Sequence, residues 1–258
     1  TYRMAALYPQ RFAGLVSWVG FPGNLFNTPA GPIPGVAYGA GGVGDNFDLF
    51  GSLIHIPAAL IYAAEDELVP ISIQIPIQQA FEAKGTAYEY FLHSTAEHLT
   101  FLFLDQWEKE AAYTKDLVRV KNPAHVIYRT ADFLGNAELE IFHDRAYWVS
   151  DIVNRQVGAD ALAQVYGDLD LFNHSCGGSV PTTVTANNTG TSPLPWVSEE
   201  RNATGSTPIA AENLLEGTLS NIAALSIDAT TTCNNGKPLR YVLTTDGPAE
   251  IRLSDGRS

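Results

Sequence analysis

The sequence predicts an α/β fold in its first part and a β-rich, sandwich-like module in its second part. Residues 1–117 alternate apolar runs with helical patterns, which is typical of a mostly parallel sheet with flanking helices. Residues 118–258 contain short segments rich in β-forming residues and almost no helical period. Within them, residues 177–212 are mostly Thr, Asn, Ser, Gly and Pro, which predicts a linker or a long surface loop.

The first part of the chain contains the elements of a parallel sheet in alternating order. Between its first two strands, the Gly- and Pro-rich residues 21–50 predict a long loop or cap. Gly85 is a predicted helix stop. The predicted strands are 12–20, 58–63 and 88–92, and the predicted helices are 1–9, 72–84 and 104–114.

The charge balance excludes two classes of partner. The 258-residue chain has 15 Lys and Arg against 28 Asp and Glu, which gives a formal net charge of −13. That charge repels the phosphates of a nucleic acid and the headgroups of an anionic membrane, so we expect neither as a partner. No apolar run reaches the ~18 residues of a spanning helix, so none is predicted.

The second part contains both cysteines, Cys176 and Cys233, at a spacing that matches no zinc pattern. They either form a disulfide in an exported protein or remain two thiols. The tail is also poor in Lys and rich in Thr, Asn, Ser and Gly. From this acidic, polar tail and the available cysteine pair we expect an extracellular, secreted protein.

Asp66 and His98 are the candidate catalytic residues. Asp66 follows the apolar strand 58–63, and His98 comes 32 residues later in the loop after the next strand. One predicted helix separates the two strands, so both loops should reach the same edge of a parallel sheet. A carboxylate placed there can orient the histidine and stabilise its charged form, as acyl transfer requires.

Each of the two residues has a rival in the sequence. Glu65 precedes Asp66 in the same acidic turn and is the alternative acid. His93 precedes His98, but it falls at the end of the predicted strand, where we expect it to pack or to cap. The spacing therefore favours Asp66 and His98, and we interpret the other histidines as structural or surface residues.

Three segments resemble the α/β-hydrolase superfamily, and within it the branch of prolyl-oligopeptidase-like and esterase-like enzymes. Residues 1–9 are similar to the helix that follows the nucleophile elbow of that family, G-x-S-x-G-G. Asp66, Val69 and Pro70 match its acid motif, and His98 matches its histidine loop. The three segments occur in the order that the family has.

This resemblance covers about residues 1–115, and it implies that residues 1–117 are the C-terminal part of an α/β-hydrolase catalytic domain. It implies a serine hydrolase, either a carboxylesterase or a peptidase, that cleaves an ester or peptide bond through an acyl-enzyme. Asp66 would be the acid of the triad and His98 its base. The implied substrate is a small molecule or a polymer, and no cofactor is needed.

The nucleophilic serine does not occur in its expected pattern within these residues. No G-x-S-x-G is present in the sequence. Ser17 lacks the flanking glycines, and Ser175, which precedes Cys176, lacks a surrounding strand–turn–helix pattern. The resemblance implies a serine about six residues before Thr1, so we expect the chain to be a fragment that is inactive alone.

Two further features bear on ligand binding. Phe21, Tyr38 and Phe47 are predicted to line the acyl pocket. Residues 39–44 match the dinucleotide-binding pattern G-x-G-x-x-G, but the prolines before them make a poor central strand. We therefore predict a glycine-rich lid in this region, with no nucleotide cofactor and no metal.

A function of a different class is the alternative. The first part would then be a non-catalytic, hydrolase-like scaffold, and the β-rich tail would bind a carbohydrate or another polymer. A residue other than serine at the position upstream of Thr1 would favour this interpretation. The sequence leaves the oligomeric state open.

Overall fold

The computed structural model describes residues 2–20, 46–93, 96–99, 107–158, 165–189, 196–231, 233 and 238–254. Within these residues the strands form three sheets, accompanied by a few helices. The prediction of mixed α/β content is therefore confirmed. In the same part of the chain, no helix combines the length and the apolar character needed to cross a membrane.

The first sheet begins with three parallel strands, β1 (Leu15–Trp18), β2 (Ala58–Ala63) and β3 (Tyr88–His93). β2 lies between the other two, and all of its residues are buried. A strand covered on both faces requires the unbroken apolar run that the sequence shows there. The register places Ala63 beside His93, so β2 and β3 end at the same edge of the sheet.

Helices pack against both faces of these strands. The ring of Phe50, from a 3-10 helix, has its centroid 5.1 Å from that of Phe81, from the second α-helix, in the core on one face. Tyr113, from the third α-helix, packs against a smaller cluster on the other face. The α-helices are α1 (Tyr2–Leu7), α2 (Ile71–Lys84) and α3 (Glu108–Thr114), and 3-10 helices cover Pro9–Arg11, Asn46–Leu53, Asp132–Leu134 and Ala229–Thr231.

The predicted linker or loop at 177–212 is wrong for residues 178–189 and 196–209. The chain there forms a long antiparallel pair, β7 (Gly178–Thr189) and β8 (Trp196–Ile209). β8 also pairs antiparallel with β3, which extends the first sheet to the order β1-β2-β3-β8-β7. Thr and Val in this segment are β-branched and favour extended backbone, even though most of their neighbours are polar. The first sheet is consequently mixed, and the prediction of a mostly parallel sheet is also wrong.

The remaining strands form two sheets that share one hydrophobic core. Val126 and Leu171 from one sheet belong to the same buried cluster as Ile152 and Leu225 from the other. The strands are β4 (His125–Thr130), β5 (Val149–Asn154), β6 (Gly167–Asn173), β9 (Leu214–Ser220), β10 (Ile222–Asp228), β11 (Arg240–Thr245) and β12 (Glu250–Ser254). One sheet has the order β11-β9-β6-β4, and the other has the order β12-β10-β5.

Contacts join the two parts of the chain. The Tyr128 hydroxyl on β4 donates a hydrogen bond to the carbonyl of Leu7 in α1, 3.1 Å away. Arg129 pairs with Asp168 on β6 at 2.5 Å, and its guanidinium also lies 3.8 Å from Asp48 in a 3-10 helix of the first part. β3 and β8 pair with each other although they lie on opposite sides of residue 117 in the sequence. The division into two domains at residue 117 remains a prediction.

A disulfide joins Cys176 to Cys233, whose Cα atoms are 4.8 Å apart. Of the two states that the sequence leaves open, the structure has the paired one. Cys176 lies between β6 and β7, and Cys233 follows β10. The bond therefore ties the start of the β7–β8 pair to the β-rich region.

Candidate active site

Asp66 lies in the turn between β2 and α2, with its side chain fully buried. Its Oδ1 atom accepts hydrogen bonds from the backbone N–H groups of Leu68, at 2.8 Å, and Val69, at 2.7 Å. A short carboxylate favours this kind of turn because it reaches the amides two and three residues further along the chain. The two bonds hold the carboxylate in one orientation and leave Oδ2 for another donor.

His98 lies in the loop after β3, and backbone hydrogen bonds connect this loop to the turn after β2. The N–H of Ala64 donates to the carbonyl of His93 at 2.9 Å, and the N–H of Glu65 donates to the carbonyl of Ala96 at 3.0 Å. Ala96 is itself buried in the cluster on one face of the sheet. Because they share these bonds, the turn and the loop form one structural unit.

The two predicted catalytic residues are in contact. Nδ1 of His98 lies 2.9 Å from Oδ2 of Asp66. The side chain of Asp66 is 0% exposed and that of His98 is 25% exposed, so the pair extends from the interior to the surface. When Nδ1–H donates to the carboxylate, Nε2 is the ring nitrogen that can accept a further proton. A general base needs this arrangement.

The rival residues lie differently. Glu65 has an exposed side chain, and it joins the two loops through its backbone. His93 ends β3 and is partly buried. Burial, together with the positive charge of Lys109, lowers the pKa of His93 to about 4. A ring with so low a pKa is a weak proton acceptor at neutral pH, which favours His98 as the base.

The low pKa of His93 predicts a loss of stability in acid. Folded His93 stays neutral down to about pH 4, whereas an unfolded histidine takes up a proton at about pH 6.5. Unfolding therefore binds a proton between these values, and the free energy of unfolding decreases as the pH falls through this window. With solvent screening at this partly exposed side chain, we expect His93→Gln to reduce the loss between pH 7 and pH 5 by about 1 kcal/mol. Urea unfolding at both pH values measures the free energy of unfolding of the wild type and of the variant. If the variant loses as much of it between pH 7 and pH 5 as the wild type does, the prediction is wrong.

The two serines considered from the sequence are buried. Ser17 lies in β1, where its hydroxyl forms hydrogen bonds with those of Tyr2 and Tyr62. Burial raises the pKa of Tyr2 to about 12, so its phenol stays neutral at ordinary pH. The Ser175 hydroxyl donates to Oδ1 of Asn173 at 2.6 Å. Both hydroxyls are engaged in the interior, and the nucleophile of a triad remains a prediction.

The predicted pocket residues are described only in part. Phe47 packs against the core that contains Phe50 and Phe81, with its ring centroid 5.2 Å from that of Phe50. Phe21, Tyr38 and residues 39–44 lie outside the described residues. The acyl pocket and the glycine-rich lid therefore remain predictions.

The residues next to the pair in sequence are acidic or apolar. Glu65, Glu67 and Glu97 are exposed. Leu68 and Leu99 are 57% and 44% exposed. The exposed carboxylates repel anions.

Gln74 is a residue near the pair that the sequence did not single out. It is fully buried in α2, and its Nε2 donates to the backbone carbonyls of Ala63 and Val69. The available signal was one polar residue between Ile73 and Ile75 at the start of a predicted helix. That pattern does not reveal the carbonyl partners, because every residue has a backbone carbonyl.

Among the described residues, no group of three or more His, Cys, Asp and Glu side chains is placed to hold a metal ion.

No family model, no curated protein and no solved structure matches this chain. What the chain does must therefore be inferred from the geometry of the Asp66–His98 pair.

Proposed function

We propose that this protein is a serine hydrolase that cleaves an ester or a peptide bond through an acyl-enzyme. The observation that supports the proposal is the 2.9 Å contact between the fully buried carboxylate of Asp66 and the partly exposed ring of His98. The two residues follow adjacent parallel strands, and the acid precedes the histidine, as in the α/β-hydrolases. We propose that superfamily for residues 1–117.

In this proposal, a serine that precedes Thr1 attacks the carbonyl carbon of the substrate. His98 accepts the serine proton at Nε2 and then gives it to the leaving group. Asp66 keeps the ring in the tautomer with hydrogen on Nδ1 and stabilises the positive charge that forms. Water, deprotonated by the same Nε2, then attacks the acyl carbon, and His98 returns that proton to the serine oxygen as the bond to serine breaks and the acid product leaves.

The surroundings of the pair support a neutral or cationic substrate with an apolar group. Leu68 and Leu99 provide exposed apolar surface. The exposed Glu65, Glu67 and Glu97, together with the net charge of −13, disfavour an anionic substrate.

The disulfide supports a location outside the cell, where such bonds persist.

The test begins with the coding sequence upstream of Thr1 and with expression of the complete reading frame. We expect a G-x-S-x-G motif whose serine lies about six residues before Thr1. The product should hydrolyse p-nitrophenyl butyrate and should be labelled at that serine by a fluorophosphonate. The p-nitrophenyl hemisuccinate ester should be a poorer substrate, and the difference should shrink at high salt because salt screens the repulsion.

The matched control replaces that upstream serine with alanine and should lose both hydrolysis and labelling. A reading frame without such a serine would overturn the proposal, as would a folded product that cleaves neither esters nor peptides. Either result would favour the non-catalytic scaffold, with the β-rich part as the binder of a carbohydrate or another polymer.

A further inference from the structure

Gln74 connects the two ends of the turn that carries Asp66. Its side chain is completely buried in the first turn of α2. Nε2 donates one hydrogen bond to the carbonyl of Ala63, at 2.8 Å, and a second to the carbonyl of Val69. Ala63 is the last residue of β2, and Val69 lies just before α2. One amide group therefore bridges the turn from its first end to its last.

The bond to Val69 bears on the orientation of the carboxylate. Val69 donates its N–H to Oδ1 of Asp66 at 2.7 Å, and Oδ2 of Asp66 lies 2.9 Å from Nδ1 of His98. Gln74 thus fixes the carbonyl group of Val69, and the N–H group of the same residue orients Asp66. A displacement of Val69 would turn the carboxylate relative to the imidazole ring.

Two properties distinguish Gln74 from a residue that merely fills space. Both of its partners are carbonyl oxygens, which accept but cannot donate, so the side chain has to present its NH₂ group to them. Its own Oε1 is buried without a hydrogen-bond partner among the described residues, and an unsatisfied buried acceptor destabilises the folded state. An apolar side chain of the same length would avoid that cost but would lose both donated bonds.

We propose that Gln74 is a positioning residue that holds Asp66 in line with His98. When the two donated bonds are lost, the turn relaxes and the carboxylate no longer faces Nδ1. The imidazole ring then exchanges between its two neutral tautomers, and Nε2 is free of hydrogen for only part of the time. The consequence for turnover rests on the proposed hydrolase function, whereas the consequence for the ring does not.

The test compares Gln74→Met with Gln78→Met in the complete protein. Methionine keeps the length and the burial of glutamine but has no donor. Gln78 is the matched control because it lies one turn further along α2 and donates to the Tyr88 hydroxyl at 2.7 Å. ¹H–¹⁵N NMR of the His98 ring reports which nitrogen carries the hydrogen. We expect a single Nδ1–H form in the wild type and in Gln78→Met, and a mixture of tautomers in Gln74→Met.

Turnover provides the second readout. In the complete enzyme we expect Gln74→Met to lower kcat by about 10- to 100-fold with little change in KM, as a misplaced catalytic group does. Gln78→Met should keep the wild-type kcat. A structural defect alone would lower the amount of folded enzyme and would leave the tautomer of the folded fraction unchanged.

The outcomes separate the two proposals. A folded Gln74→Met protein that retains the single Nδ1–H form overturns the positioning role, whatever its activity. Mixed tautomers in Gln74→Met, combined with a wild-type protein that hydrolyses nothing, support the positioning role and overturn the hydrolase function.

Gln74→Glu replaces Gln74→Met if the latter does not fold. Burial favours the protonated acid, which can donate one of the two bonds. For Gln74→Glu we expect the His98 ring to show more of the second tautomer than the wild type does, but less than a variant without any donor. A His98 signal identical to that of the wild type overturns the positioning role.

Discussion

Replacement of His98 by alanine in the complete enzyme is expected to lower kcat by about 10⁵- to 10⁶-fold. In the proposed mechanism the His98 ring takes the proton from the serine and gives it to the leaving group. The alanine variant has no group that can perform either proton transfer. KM should change little, because the ring acts on the transition state more than on the bound substrate. Steady-state hydrolysis of p-nitrophenyl butyrate measures the effect.

Two companion variants define what that loss means. Asp66→Asn keeps the shape of the side chain but removes its charge, and we expect kcat to fall by about 10⁴-fold. His93→Gln, at the end of the strand before the loop, should keep the wild-type kcat. A His98→Ala enzyme within about tenfold of the wild type would show that another group is the base.

Removal of the disulfide is expected to lower the free energy of unfolding by about 4 kcal/mol. Cys176 and Cys233 are 57 residues apart in sequence, and opening a loop of that length raises the conformational entropy of the unfolded chain. The loop contains β7, β8, β9 and β10, which belong to all three sheets of the described chain. Urea unfolding of the variant with both cysteines changed to serine measures the loss.

The wild-type protein in a thiol reductant is the control, and its unfolding curve should coincide with that of the double serine variant. A difference of less than about 1 kcal/mol between oxidised and reduced protein would contradict the expectation. It would mean that the unfolded chain is already restricted in this region without the bond.

The parallel strands and the Asp66–His98 pair were predictable because their signals are local. An apolar run such as 58–63 requires cover on both faces, and strands joined through a helix lie parallel and side by side. That placement brings both loops to one edge of the sheet. The sequence favoured Asp66 over its neighbour Glu65, and the structure adds the reason, since Asp66 is buried and contacts His98 whereas Glu65 is exposed.

β7, β8 and the contacts of Gln74 could not be predicted in the same way. Apolar periodicity reports burial, and residues 178–189 and 196–209 contain few large apolar residues, so they carry no period of two. What makes them strands is backbone pairing, with each other and with β3. Gln74 likewise bonds to backbone carbonyls, which no side-chain pattern marks.

The order in which the polypeptide is synthesised has a consequence for the first sheet. Tyr90 on β3 pairs with Glu199 on β8, so the ribosome must add roughly 100 further residues before that neighbour exists. At about 5–20 residues per second, the nascent β3 waits about 5–20 s with one side unpaired. During this interval the strand that precedes His98 can associate with another growing chain. A chaperone that shields β3 until β8 emerges would therefore raise the yield of folded protein.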